Sequence, residues 1–187
     1  MISNMKTLQL PEGNFNVNVD VFEVKDKLQF EKIYRTWREL SSMLKSFNAR
    51  AINLPEGLSE GAFCLAMNCV RVNNSIPGAN SSWDCYNMES KKRIQVKACS
   101  VLPDLTSFGP SSQWDELYFL DFYKNGSWSG EFDIYLIDND MIYNHNVNRS
   151  ETFREQQAQG RRPRFSIYKD IIEKQGIATL MTYNLFS

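Results

Sequence analysis

The stretch Ser82-Trp83-Asp84-Cys85-Tyr86-Asn87-Met88-Glu89-Ser90-Lys91-Lys92-Arg93-Ile94-Gln95-Val96-Lys97-Ala98-Cys99 reads as two strands folded back on each other. With Glu89-Ser90 as the tip of a two-residue hairpin, Met88 pairs with Lys91, Tyr86 with Arg93 and Asp84 with Gln95. Residues directly opposite on an antiparallel pair share a face, with Cβ atoms about 4.5–5.5 Å apart. Side chains alternate along a strand, so Lys97 joins Gln95 on that face while Ile94, Val96 and Ala98 turn to a core. One short hairpin thereby delivers an acid, a carbonyl-bearing amide and a lysine to one spot. That spacing suits metal-dependent phosphodiester chemistry.

At 187 residues, 42% hydrophobic and 13% aromatic, the chain is long enough for a sizeable core and reads as one domain spanning 1–187. A net charge of −1 gives no global signature of nucleic-acid binding. Charge is uneven, however. Between Asp115 and Asp140, seven acids face one lysine, a balance of −6, whereas from His145 to Ser187 seven Lys/Arg face four acids, a balance of +3. A basic segment can approach DNA while an acidic centre holds metal. Cys64, Cys69, Cys85 and Cys99 show no CxxC spacing and read as reduced, packed thiols of a cytoplasmic protein. The start lacks the apolar run of a signal peptide, and no stretch approaches the ~18 apolar residues of a membrane span.

Outward from the hairpin, residues 1–14 read as a surface lead-in. Val17, Val19 and Val21 fit either a strand or the start of a helix. Asp26 to Phe47 carries Leu28, Phe30, Ile33, Trp37, Leu40, Leu44 and Phe47 at helical spacing. A second helix follows Pro55 and Gly57 and runs through Cys69, with Ala62, Phe63, Ala66 and Met67 as its buried stripe. Val70 to Gly78 reads as turn, and Pro103 to Ser112 as a loop with a short helical turn. Trp114–Tyr123 and Trp128–Ile137 form a hairpin whose Asn125-Gly126 tip suits a type I′ turn. Both strands are apolar on both faces, as central strands covered by helices are. The tail offers a helix near Glu151–Gln159, a break at Gly160–Arg164 and a helix near Ile167–Lys174.

In the chemistry this pattern suggests, Asp84 binds Mg²⁺, a hard cation that prefers oxygen ligands and keeps several waters. Gln95 offers its amide oxygen, the Val96 backbone carbonyl is an additional ligand, and Lys97 orients or deprotonates the attacking water and offsets phosphate charge. Glu60 is either a further carboxylate, acting through water, or a charge near a helix N-terminus. Glu23-Val24-Lys25 is a rival triplet without a partner strand. Arg161, Arg162 and Arg164 form a basic cluster, read either as a solvated loop or as DNA contacts. The single histidine, His145, and the absence of zinc-ligand spacing, a nucleophile elbow or a phosphate-binding glycine loop leave other site chemistries without support.

Taken together, Leu54-Pro-Glu-Gly-Leu-Ser-Glu60, Gly78 to Tyr86, Arg93-Ile-Gln-Val-Lys-Ala98, Asp104 to Pro110 and Gln159 to Ile167 resemble a small family of Type II restriction endonucleases. That family cuts interrupted palindromes of the 5′-GCNGC kind and lies in the PD-(D/E)XK nuclease superfamily; the resemblance runs from about residue 15 to 175. It implies an α/β restriction-endonuclease-like core, a mixed sheet flanked by helices, and a homodimer with one site on each strand of double-stranded DNA. A cognate DNA methyltransferase is expected in the same system. Asp84, Gln95 and Lys97 match the catalytic motif and Glu60 the helix acid common in such nucleases. Gln95 departs from the usual second acid, so a catalytically inactive sequence-specific DNA-binding protein on the same fold is the rival expectation.

Overall fold

The computed structural model describes residues 1–186. Ile2–Leu10 (β1) and Gly13–Val21 (β2) form a nine-residue antiparallel ladder running from Ile2 opposite Val21 to Leu10 opposite Gly13. Residues 1–14 are therefore an edge hairpin and not a lead-in, and Val17, Val19 and Val21 belong to a strand. The cause is the turn at Pro11-Glu12, where Gly13 takes φ +139°, a value glycine alone adopts readily. Only Leu8 and Leu10 of β1 are buried.

Lys27–Ser46 (α1) follows a capping box in which the Glu23 N–H donates to the Asp26 side chain at 2.9 Å. Its buried stripe is Phe30, Tyr34, Trp37 and Ser41, spaced four, three and four apart, while Leu28, Ile33, Leu40 and Phe47 face out. Glu56–Met67 (α2) ends on Asn68 in the left-handed region. Val70–Arg71 (β3), where the sequence suggested only turn, links β2 to Cys85–Asn87 (β4), which pairs with Lys92–Cys99 (β5).

The β4–β5 register places Cys85 opposite Ile94 and Tyr86 opposite Arg93, so Asp84 continues opposite Gln95 as expected. The turn is longer than two residues: the Lys91 N–H donates to the Asn87 carbonyl at 2.8 Å, and the Asn87 side chain accepts from the N–H groups of Glu89 and Ser90.

From β5 the chain crosses over through Thr106–Ser107 (β6) to Glu116–Asp121 (β7), parallel to β5 with Lys97 beside Phe119. β6 pairs later with Arg164–Phe165 (β9), replacing the helical turn and part of the break read from sequence. Glu131–Ile137 (β8) is antiparallel to β7, with Asp121 opposite Asp133. Asn125 and Gly126 do take positive φ, and the Ser127 N–H closes on Lys124 at 3.1 Å. That turn nevertheless sits inside a longer loop, so the pairing is offset from a tight Asn-Gly tip.

Asn139–Tyr143 (α3) and Phe153–Ala158 (α4) follow, the latter capped by Thr152 and Glu155 reciprocally. A π-helical turn covers Tyr168–Glu173, and Met181–Asn184 (β10), which the sequence did not reveal, pairs with β8. The sheet order is β1-β2-β3-β4-β5-β7-β8-β10, a mixed eight-stranded sheet.

Its two faces bury separate cores, as alternation requires. Leu117, Phe119, Tyr135 and Ile137 pack with Ile142, Phe153 and Ile171 on one face; Tyr118, Leu120, Phe132 and Ile134 pack with Tyr34, Trp37 and Phe63 of α1 and α2 on the other. Trp114, Tyr118, Phe119, Phe122 and Tyr135 are thus core residues, and Tyr143 packs against the core half-buried. The four cysteines are free and buried. Among the described residues, no helix is long and apolar enough to cross a membrane.

A buried phenol helps tie the edge hairpin to the centre. The Tyr86 hydroxyl accepts from the Gln9 N–H at 3.2 Å and donates to the Gln9 carbonyl at 2.9 Å, and Tyr86 is 1% exposed. Tyr86→Phe is expected to cost about 1–2 kcal/mol by orphaning both groups. Urea unfolding measures this; an unchanged midpoint would show that water replaces the phenol without loss.

Candidate active site

At the point where β4 leaves β5, the sheet opens into a cleft of about 700 Å³. Asp84, Val96 and Lys97 line its floor, Glu56 and Glu60 of α2 one wall, and Arg164 of β9 another. Asp84 is fixed from both sides: its Oδ2 accepts the Val96 backbone N–H at 2.8 Å and a short hydrogen bond from the Gln95 amide. Because Val96 gives its N–H to a side chain here, the carboxylate is held by the strand itself.

Gln95 is 2% exposed and reaches the site through Asp84, with its Nε2 also 3.5 Å from the Val96 carbonyl. Lys97 lies over the Phe108 ring, its Nζ 5.3 Å from the centroid. The floor is therefore built by the hairpin that the sequence singled out, and α2 supplies the wall because Ala62, Phe63 and Cys64 anchor it on the sheet.

Burial dominates the electrostatics of the cleft acids. Burial, followed by the charge of Asp84, pushes the Glu60 carboxyl up to about 7, against the pull of the Arg71 guanidinium. Burial likewise raises Asp84, and Glu56 adds to the rise; Lys97, the Val96 N–H and the Gln95 amide oppose without cancelling it. Glu60 has a direct partner, Arg71, whose Nε donates to Oε2 at 2.6 Å. It lies beyond the first turn of α2, whose leading acid is Glu56.

The donor set suits a hard divalent cation. Among the described residues no three His, Cys, Asp or Glu side chains gather into a cage. Two carboxylates beside a backbone carbonyl, in a polar cleft with room for water, are what a cation that keeps several waters uses. Both carboxyls are raised by burial first and by neighbouring acids second, and a bound cation would favour their ionised forms.

The basic cluster divides. Arg164 reaches the cleft through the β6–β9 pair. Arg161 is exposed but tied to Glu151, its Nη1 and Nη2 on that carboxylate at 2.9 and 2.6 Å, and this pairing holds the Glu151 carboxyl down at about 2. Arg162 is exposed beside them. Gln156, Gln157 and Gln159 are likewise committed to Glu151 or to the Gly109 carbonyl. His145 packs on Phe165 with ring centroids 4.3 Å apart. The rival triplet lies in the cap of α1, where Lys25 pairs with Glu23 at 2.5 Å and both are exposed.

Residues 22–174 match the Bsp6I restriction endonuclease family. The chain belongs to the Bsp6I restriction endonuclease family. The Type II restriction enzyme Bsp6I of Bacillus sp. (strain RFL6) is 39% identical over 158 residues, covering 81% of this chain and 86% of that enzyme. No solved structure matches the fold. The family match spans the whole cleft, from α2 to the π-helical turn, and agrees in extent with the resemblance read from the motifs. It begins just after β2, so the edge hairpin lies outside it.

Sequence reasoning missed Glu56, Arg71 and Asp20 as neighbours of the site. Glu56 had a local signal, standing one helical turn before Glu60 on the same face. The other two had none, because only the sheet order brings β2 and β3 beside α2.

Proposed function

We propose that this chain is a Mg²⁺-dependent Type II restriction endonuclease that hydrolyses double-stranded DNA at a short GC-rich interrupted palindrome of the GCNGC kind. In this reading residues 1–187 are one nuclease domain of the PD-(D/E)XK class. It works in the cytoplasm as a homodimer, one cleft per strand, with a cognate methyltransferase protecting the host. The observation that carries the proposal is the convergence of Asp84, Glu60 and Lys97 on one cleft in a chain of this family.

Asp84, Glu60 and the Val96 carbonyl would hold the cation, with Gln95 either adding its amide oxygen or steadying Asp84 as its hydrogen bond does now. Bound there, Mg²⁺ supplies Lewis-acid polarisation of the phosphate and a more acidic water. Lys97 aligns the attacking water and offsets charge that grows on the phosphoryl oxygens. Arg164 grips the backbone from the opposite wall, as guanidinium groups do with phosphate. Arg162 is free to add a contact, whereas Arg161 must first leave Glu151.

Digestion of a defined plasmid with Mg²⁺, beside an EDTA control and with fragment ends sequenced, tests this. Discrete metal-dependent fragments ending at one palindrome are expected. DNA that is bound but intact would instead make the chain a silent binder, with Gln95 as the cause. Binding itself should fall steeply as salt rises, because phosphate contacts release counterions.

Metal affinity should also depend on pH. Cations bind the ionised carboxylate, and the folded Glu60 gives up its proton near 7. Mn²⁺ affinity is expected to climb about tenfold per unit below that value and flatten above it. The sign for stability is opposite: a carboxyl raised in the fold favours the metal-free protein at low pH, and that advantage fades as pH rises through 7. Titrations at pH 6, 7 and 8 check this, and the slope should shrink in Glu60→Gln to what the raised Asp84 carboxyl alone contributes.

A further inference from the structure

We infer that Arg71 is a place-holder cation on Glu60 and that Asp20, on the neighbouring strand, is the seat it moves to when a metal ion takes Glu60. Arg71 stands directly opposite Asp20 in the β2–β3 ladder, so the two side chains share a face. The Arg71 guanidinium reaches two acids at once: Nε meets Glu60 at 2.6 Å, and Nη1 lies 3.7 Å from Asp20. Asp20 is 7% exposed and is steadied by a short hydrogen bond from the Asn73 amide. A buried acid aimed at a guanidinium already paired elsewhere is a second, weaker partner.

This inference rests on the reading of Glu60 as a metal carboxylate. A divalent cation and a guanidinium compete for the same oxygens. Without an alternative partner, releasing Glu60 would strand the Arg71 charge in a half-buried place, which is costly. Asp20 removes that cost, because Arg71 can close the 3.7 Å gap while letting go of Glu60. Asp20 and Arg71 stand behind Glu60 and thus act as positioning residues. The edge hairpin thereby takes part in loading the site, although it lies outside the family match.

The test is Mn²⁺ binding to the full chain, read from the loss of the free-ion paramagnetic resonance signal, with thermal melting in parallel. Asp20→Asn should weaken Mn²⁺ binding about tenfold, since Arg71 then has only Glu60 to hold. The double variant Asp20→Asn with Arg71→Gln should recover to within about threefold of the native protein, because the competing cation is gone. Recovery is the signature that a merely structural role for Asp20 would not give. A double variant as weak as Asp20→Asn, or weaker, would overturn the inference. So would native affinity in Asp20→Asn while Glu60→Gln loses binding, an outcome that leaves the reading of Glu60 intact. Unchanged binding in Glu60→Gln would remove that reading and this inference with it.

Discussion

Lys97→Ala should lower kcat for DNA cleavage at least about a thousandfold while leaving site binding in Ca²⁺ within a few-fold of native. The ammonium faces the cleft beside Asp84, and its Nζ lies 5.3 Å from the centroid of the Phe108 ring. Lys97 is half-buried and keeps its ammonium at the cleft, and a cation–π contact of this kind contributes about 0.5–2 kcal/mol, so the fold survives its loss. The loss therefore falls on the transition state, where water must be aligned and phosphate charge offset. Single-turnover cleavage beside a filter-binding assay measures both. Native cleavage by the variant would remove Lys97 from the site; loss of binding together with cleavage would make it a DNA contact instead.

Gln95→Glu should pull metal affinity and metal-free stability in opposite directions. Gln95 is almost fully buried and donates to Asp84. A glutamate there removes that donor and sets two carboxyls against each other, and two acids sharing a buried site cannot both ionise freely. The folded pair is raised, so the variant keeps its stability at low pH, where the new acid is protonated and can donate to Asp84. That stability is lost as pH rises, by roughly 1–3 kcal/mol. A divalent cation relieves the conflict, and at pH 8 affinity should rise at least about tenfold over the native protein. Calorimetric titration together with melting at pH 5 and pH 8 decides it. Equal or weaker affinity at pH 8 would show that Gln95 steadies Asp84 without ever facing the cation.

The register that gathers the candidate site was legible in sequence because strand alternation and pairing are strict. Once Asp84 and Gln95 lie opposite each other, Lys97 has no other face to occupy, and the observed ladder keeps that register although its turn is longer than two residues. The family was legible for a different reason: five motifs spread along the chain matched together. What stayed hidden had physical causes. In β1, Ile2 to Thr7 are exposed on both faces, so no apolar alternation marks a strand, and only the full ladder to β2 creates one. Asn125-Gly126 took the positive φ values its chemistry favours, but the adjoining Phe122, Trp128 and Phe132 pack into the core, and the strands pair beyond the turn. Arg161 looked available to DNA until the loop brought Glu151 beneath it. Arg71 carries no local signal, since its two-residue strand is set by its neighbours, and Asp20 carries none because only the β2–β3 pairing brings it to Arg71.

The most direct test of the account is an anomalous difference map from crystals soaked in Mn²⁺ at pH 8. The account predicts a peak in the cleft bounded by the Asp84 carboxylate, the Val96 carbonyl and Glu60, with Lys97 beside it and Arg71 drawn toward Asp20. A peak confined to another acidic group such as Asp121 and Asp133, with Asp84 still held only by Gln95 and Val96, would contradict it.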